Sequence, residues 1–238
     1  MLVEPSSWQG SVVSVRTVIA SAPGKVNLHF GVGSLDFDGY HDVVSVYQAL
    51  NLRERVTVSL SKDEAWSIAV AGSLGLDQLA LVPTDESNLV VKASLLAAEL
   101  AALDNPRALD IKISKQIPVA GGMAGGSADA AATIVGIDYL YSLGMTREEM
   151  VEIAAQLGSD VPFMLSGGTA IGRGHGDQLT AALSRGTYYW VLALSTVGLS
   201  TPAVYAECDR LRAELEIVEP QTHEGLMQAL LAADAPAV

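Results

Sequence analysis

The chain has 238 residues, half of them hydrophobic and 17% charged, with 27 acidic against 14 basic side chains and a net charge of −13. Such a surface repels nucleic acid and anionic membrane, so neither is expected as a partner. A single cysteine, Cys208, excludes an internal disulfide and any multi-cysteine metal site, and His29, His41, His175 and His223 lack the paired spacing of a zinc site. No apolar run reaches the length of a membrane span, and residues 1–10 carry no basic cluster of the signal-peptide kind. A cytoplasmic protein acting on a small molecule is expected, as monomer or homodimer.

In chain order, residues 12–20, 55–60 and 66–71 are short, β-rich and bounded by turn residues, and read as strands. Residues 88–103 have helical periodicity with Asn88 as the N-cap. Residues 109–113 alternate apolar and polar, as a half-buried strand does. A glycine-rich loop follows, then a helix from Ser127 to about Tyr141. Thr146-Arg147-Glu148-Glu149 is a capping box that opens another helix ending near Gly158. Beyond Gly167-Gly168 come a short strand, a buried strand over residues 188–194, and helices over 203–214 and 222–232. Strands gathered first and helices interspersed later predict an α+β architecture, with a boundary near residue 170.

Three clusters bear on chemistry. In Ile117-Pro118-Val119-Ala120-Gly121-Gly122-Met123-Ala124-Gly125-Gly126-Ser127-Ala128, four glycines fall within six residues just before a helix. Tight turns bring bare N–H groups toward a ligand, and the helix start adds unpaired donors and a positive dipole end, which together cradle phosphate. Ser127 stands where a Walker A loop would have lysine, and the glycine spacing is not that of a dinucleotide site. The bland alternative is a plain strand-to-helix joint in which Ala128, Ala130, Ala131 and Ala132 only pack tightly. The second cluster is Ala22-Pro23-Gly24-Lys25-Val26-Asn27-Leu28, placed directly after a strand. Its lysine either reaches for solvent or serves a site. The third is Gly158-Ser159-Asp160-Val161-Pro162-Phe163, where an isolated aspartate is most simply a helix cap or turn residue.

Taken along the chain, Ala22 to Leu28, then Asp38-Gly39-Tyr40-His41, the glycine loop and Gly158 to Phe163 resemble, in order and spacing, the motifs of the GHMP small-molecule kinases over essentially the whole chain. The Asp-Gly-Tyr-His element is similar to the branch acting on diphosphocytidyl-methylerythritol in the methylerythritol phosphate route to isoprenoids. The resemblance implies a two-domain fold: a ribosomal protein S5 domain 2-like ATP-binding domain over residues 1–170, and an incomplete ferredoxin-like α/β sandwich over 171–238. It implies transfer of the γ-phosphoryl group of ATP, with Mg²⁺, to the substrate's 2-hydroxyl.

By the same resemblance, Asp160 is the general base, Lys25 its electrostatic partner, and the loop from Pro118 to Ala128 holds the ATP phosphates. Ser127 either touches metal or phosphate or caps the helix. Asn27, on the same strand face as Lys25, would bind the methylerythritol end. Tyr40, His41 and Tyr205 would frame the cytosine; their plainer readings are a polar turn after Asp38-Gly39 and a core aromatic. Arg173, between glycines, reads as a surface-loop residue rather than a phosphate ligand. Two departures are mild: Gly24 replaces the usual alanine, and Ala120 replaces the loop's first glycine, tolerable if that position needs no positive φ. No third glycine-rich motif follows Gly225, so a shortened C-terminus is expected. The alternatives are another GHMP kinase, for mevalonate, homoserine or a sugar, and an inactive nucleotide-binding remnant.

Overall fold

Two long antiparallel strands form the spine of the molecule. The computed structural model describes residues 17–37, 39–63, 65–103, 107–195 and 198–238. Residues 12–16 of the first expected strand, and Asp38 of the Asp-Gly-Tyr-His element, lie outside them. β1 (Thr17–Leu35) and β2 (His41–Leu60) pair from Thr17↔Ser59 to Leu35↔His41, interrupted by three irregularities. The expected strand at 55–60 is only the last part of β2. The polar run around Gln48, Asn51, Arg53 and Glu54 hid the rest, because an interior strand is held by neighbours on both edges whatever its local composition.

β2 is bonded along one edge to β1 and along the other to two strands in succession. Its second half pairs with β4 (Leu109–Lys115), as in Val58↔Ile111, and its first half with β5 (Thr169–Arg173), as in Tyr47↔Ala170. β3 (Ser67–Gly72) lies parallel to β4, and β6 (Gln178–Ala181) runs antiparallel to β5. Side chains alternate across the sheet, so Tyr47 joins one core and Val46 another.

The larger core lies under four helices: α2 (Leu89–Leu100), α3 (Gly125–Tyr141), α4 (Arg147–Leu157) and α5 (Val161–Ser166), with the one-turn α1 (Leu76–Leu79) beside β3. Asn88 caps α2 by accepting from Val90 N–H, and the expected capping box opens α4 with both of its bonds formed. α3 is buried nearly all round, which its small residues permit: Ala128, Ala130 and Ala131 are fully buried, and a Cβ on Gly136 would come within 3.0 Å of Val58. The smaller core places Leu226 and Leu230 of α7 (Glu224–Ala232) against Val46, and α6 (Thr201–Arg212) lies along the β1–β2 hairpin.

One expectation fails outright. Residues 188–194 form no strand, and most of them are exposed, Val191 fully. Tyr188 alone packs against the α7 cluster. Among the described residues no strand lies beside this run to accept its backbone bonds, and an apolar sequence without an edge to join does not make a strand.

Candidate active site

The glycine loop, the β1–β2 hairpin and α6 enclose a cleft of about 1440 Å³. Lys25 enters it from within β1, not from a loop after a strand. The pairing with β2 slips between Pro23 and Lys25, and such an irregularity re-aims a side chain. The Lys25 backbone N–H donates to the Met123 carbonyl at 3.2 Å, which fastens β1 to the loop. Its ammonium donates to Asn27 Oδ1 at 2.8 Å, lies 3.9 Å from Asp160 Oδ2, and sits 5.8 Å from the centre of the Tyr47 ring. Burial draws this ammonium below the usual lysine range, and the Asp160 carboxylate works against that pull.

The same burial, with Asp160 nearby, pushes the Tyr47 phenol above its ordinary range. Asn27 is locked in one orientation, because its Nδ2 donates to Ser45 Oγ at 2.7 Å and Ser45 donates on to the His29 carbonyl at 3.1 Å. The two side chains at 25 and 27 therefore do share a face.

Asp160 stands at the N-cap of α5 but makes no capping bond; Pro162 in the first turn removes one of the donors such a bond would need. Its carboxylate is a third exposed, against 9% for the Lys25 side chain. The plain capping role is thus set aside by geometry, and the carboxylate is left facing the cleft.

The loop itself alternates handedness. Ala120, Gly122 and Ala124 have φ of +56°, +72° and +58°, while the residues between them do not. Alternation of this kind gathers successive N–H groups into an anion-binding concavity. Position 120 does adopt a positive φ, so the condition under which alanine would be tolerated freely is not met, and the residue is held there with some strain. α3 begins at Gly125 rather than Ser127, with Ala124 at a cap that has no side-chain bond, so Ser127 lies in the first turn and is not the cap.

The first intrahelical amide bond is Ala128 N–H to Ala124 at 2.9 Å, which leaves the amides of 125–127 without helical acceptors. Above Gly122 and Gly126 a Cβ would meet nothing within 4 Å. Of the loop residues named from sequence, all line the cleft except Met123 and Ala128, which are buried behind it.

At the far end, the rings stack in two pairs. Tyr40, largely exposed, lies on His175 with centroids 4.5 Å apart, and buried His41 lies on Tyr205 at 5.0 Å. His41 Nδ1 is 3.1 Å from the Gly33 carbonyl and Nε2 is 3.2 Å from Asp209 Oδ2. Arg212 donates to the carbonyls of Val32 and Gly33, at 2.8 and 3.2 Å, which holds α6 to the hairpin.

His175, Asp209 and Ser45 were not read from sequence as site residues. His175 lay in the stretch noted for Arg173, but Arg173 is exposed outside the cleft while its neighbour lines it. Also missed was a buried group beneath the loop. Lys115 Nζ is 2.8 Å from Glu54 Oε1 and 2.7 Å from Asp129 Oδ2, all three nearly inaccessible to solvent. Its only sequence signal was a lysine closing an alternating strand. Among the described residues no three His, Cys, Asp or Glu converge as a metal site, and no helix is long and apolar enough to cross a membrane.

Comparison with known proteins bears on this arrangement. Residues 88–168 match the family described as GHMP kinases N terminal domain. The chain is 52% identical over 222 residues to 4-diphosphocytidyl-2-C-methyl-D-erythritol kinase of Rhodococcus jostii, covering 92% of this chain and 68% of that one. It is 50% identical over 217 residues to the enzyme of the same name from Nocardia farcinica, covering 91% and 68%. The chain thus spans about two thirds of these relatives' length. A crystal structure of 4-(cytidine 5′-diphospho)-2C-methyl-D-erythritol kinase superposes with a TM-score of 0.65 at 27% identity, over 90% of this chain and 72% of that one. Homoserine kinase from Cytophaga hutchinsonii gives 0.60 at 19% identity over 97% and 71%, a likeness of fold alone. The α+β GHMP kinase fold expected from the motifs is the fold found, and the chain belongs to the 4-diphosphocytidyl-2-C-methyl-D-erythritol kinase family of GHMP kinases.

Proposed function

We propose that the protein transfers the γ-phosphoryl group of ATP to the 2-hydroxyl of diphosphocytidyl-methylerythritol, a step of the methylerythritol phosphate route to isoprenoids. The observation that carries this reading is the Lys25–Asp160 pair, 3.9 Å apart, in a cleft that the open glycine loop also lines. Phosphoryl transfer asks a protein for positioning, charge neutralisation and a proton acceptor, and little else. Asp160 takes the hydroxyl proton as the oxygen forms its bond to the γ-phosphorus, and the bond from that phosphorus to the bridging oxygen breaks to release ADP. Lys25, held by Asn27 and Asp160, offsets the negative charge that gathers on the attacking oxygen and the transferring group.

The residues fit a magnesium nucleotide. The unbonded amides of 125–127 and the concavity over 120–124 suit phosphate oxygens, and the apolar wall of Leu81, Val82, Pro83 and Leu89 beside the loop suits a purine. The Ser127 hydroxyl, which lines the cleft, would hold a nucleotide-bound Mg²⁺, and that ion would supply neutralisation of phosphate charge. At the other end Tyr40, His41 and Tyr205 supply flat surfaces for cytosine. A division into an ATP-binding domain over 1–170 and a partial second domain over 171–238 belongs to the same proposal.

The test is ADP release with Mg²⁺-ATP and diphosphocytidyl-methylerythritol, run beside mevalonate, homoserine and galactose. Turnover on the cytidyl substrate alone is expected; turnover on another of the four would reassign the acceptor. ATP binding with no turnover on any would favour the inactive nucleotide-binding reading. Asp160→Asn should lower kcat by roughly 10²-fold or more while nucleotide affinity holds. If nucleotide affinity falls in step with kcat, Asp160 is structural and not the base.

A further inference from the structure

We infer that Glu54, Lys115 and Asp129 act as a clamp that fixes the two stems of the glycine loop relative to each other, and so positions its amides for the nucleotide's phosphates. The inference rests on the reading that the loop holds phosphate. β4 ends at Lys115, and the next two amides, of Gln116 and Ile117, run past the ladder toward Pro118. The buried Ile117 amide needs an acceptor, and the part-buried Gln116 amide beside it takes one as well. Glu54, wholly inaccessible on the neighbouring strand, supplies both, at 3.0 and 3.1 Å. The same carboxylate holds Lys115 Nζ, which turns to Asp129 in the second turn of α3.

The incoming stem, 115–117, and the outgoing stem, 125–129, are thereby tied to one buried group. A Cβ at Gly125 would stand 3.2 Å from both Glu54 Oε1 and Lys115 Nζ, so the helix start rests directly on the ion pair. Apolar side chains could fill this volume with less desolvation, but they could not accept the two stem amides. None of the three need touch substrate for this. They are positioning residues, and small displacements of a positioned group cost much in rate or affinity.

The test uses the full chain with Lys115→Met and, because that variant leaves two buried carboxylates and can fail to fold, Glu54→Gln as a second. Three readouts are taken: KM for ATP against KM for the alcohol, calorimetric binding of Mg²⁺ with a non-hydrolysable ATP analogue, and hydrogen exchange of the loop amides without nucleotide. Expected for a folded variant are a KM for ATP and an analogue Kd raised about ten-fold or more, and an alcohol KM within about two-fold of wild type. Loop exchange should be faster while α2 stays protected. Unchanged analogue affinity in a folded variant overturns the clamp, and so does an equal rise in both KM values. If the wild-type protein itself does not bind the analogue, the phosphate reading of the loop fails instead, and the clamp with it.

Discussion

Replacing Asp129 by asparagine should remove a pH dependence of stability that the wild-type protein carries. The Asp129 side chain is buried, its Oδ2 shares the Lys115 ammonium with Glu54, and its Oδ1 has no hydrogen-bond partner. One cation cannot fully compensate two buried carboxylates. Burial therefore pushes the Asp129 carboxyl up to about 7, with the Lys115 charge opposing and the Glu54 charge adding to the rise. In the unfolded chain the same group titrates near 4.

Between these values the folded chain binds more protons than the unfolded one, so stability falls as pH rises. The contribution is fully present below the unfolded value and lost as pH passes through about 7. At about 1.4 kcal/mol per unit, raising pH from about 5.5 to about 8 costs on the order of 2 kcal/mol from this group. That corresponds to roughly 4–8 °C in Tm for a chain of this size. Urea denaturation of wild type and Asp129→Asn at both pH values isolates the effect of this coupled group, since titrations away from Glu54 and Lys115 are common to the two proteins. The wild type should lose about 2 kcal/mol more than the variant over the interval. Parallel profiles, or a wild type that gains relative stability with rising pH, would refute the argument and mean that Asp129 stays ionised against Lys115.

Three further outcomes follow from local geometry. Ala120→Gly, at φ +56°, should stabilise the free protein by up to about 1 kcal/mol as left-handed strain is relieved, read by urea denaturation; a clear loss would mean the alanine methyl packs usefully. Phe163→Ala empties a fully buried site beside Tyr47 and should cost about 3–5 kcal/mol in the same assay. Ser45→Ala frees the Asn27 amide to rotate away from Lys25, and should raise KM for the alcohol more than KM for ATP; an effect confined to ATP would place Asn27 elsewhere in the mechanism.

Local signals in the sequence were reliable where the stabilising bond closes within a few residues. Asn88 and the Thr146–Glu149 box satisfy donors one turn away, so their caps could be read from spacing and were found as read. The loop before α3 was legible for the same reason, since glycines and small residues announce turns and close packing before any fold is known. What the chain alone did not reveal depends on partners far along it. Lys25 and Asp160 are 135 positions apart, and only the packing of α5 beside β1 brings them to 3.9 Å.

Lys115 ended a strand of ordinary alternation, and its burial between Glu54 and Asp129 arises because β2 and α3 close over it. The handedness of Ala120 could not be read from an alanine, which adopts positive φ only when the surrounding loop compels it. Residues 188–194 show the converse. Their apolar run satisfies every sequence criterion of a buried strand, yet a strand exists only where another edge accepts its hydrogen bonds. Sequence determined which segments could turn, cap and bury themselves; tertiary structure decided which charges lost their water and which of them met, because desolvation and pairing belong to the assembled interior and not to any single segment.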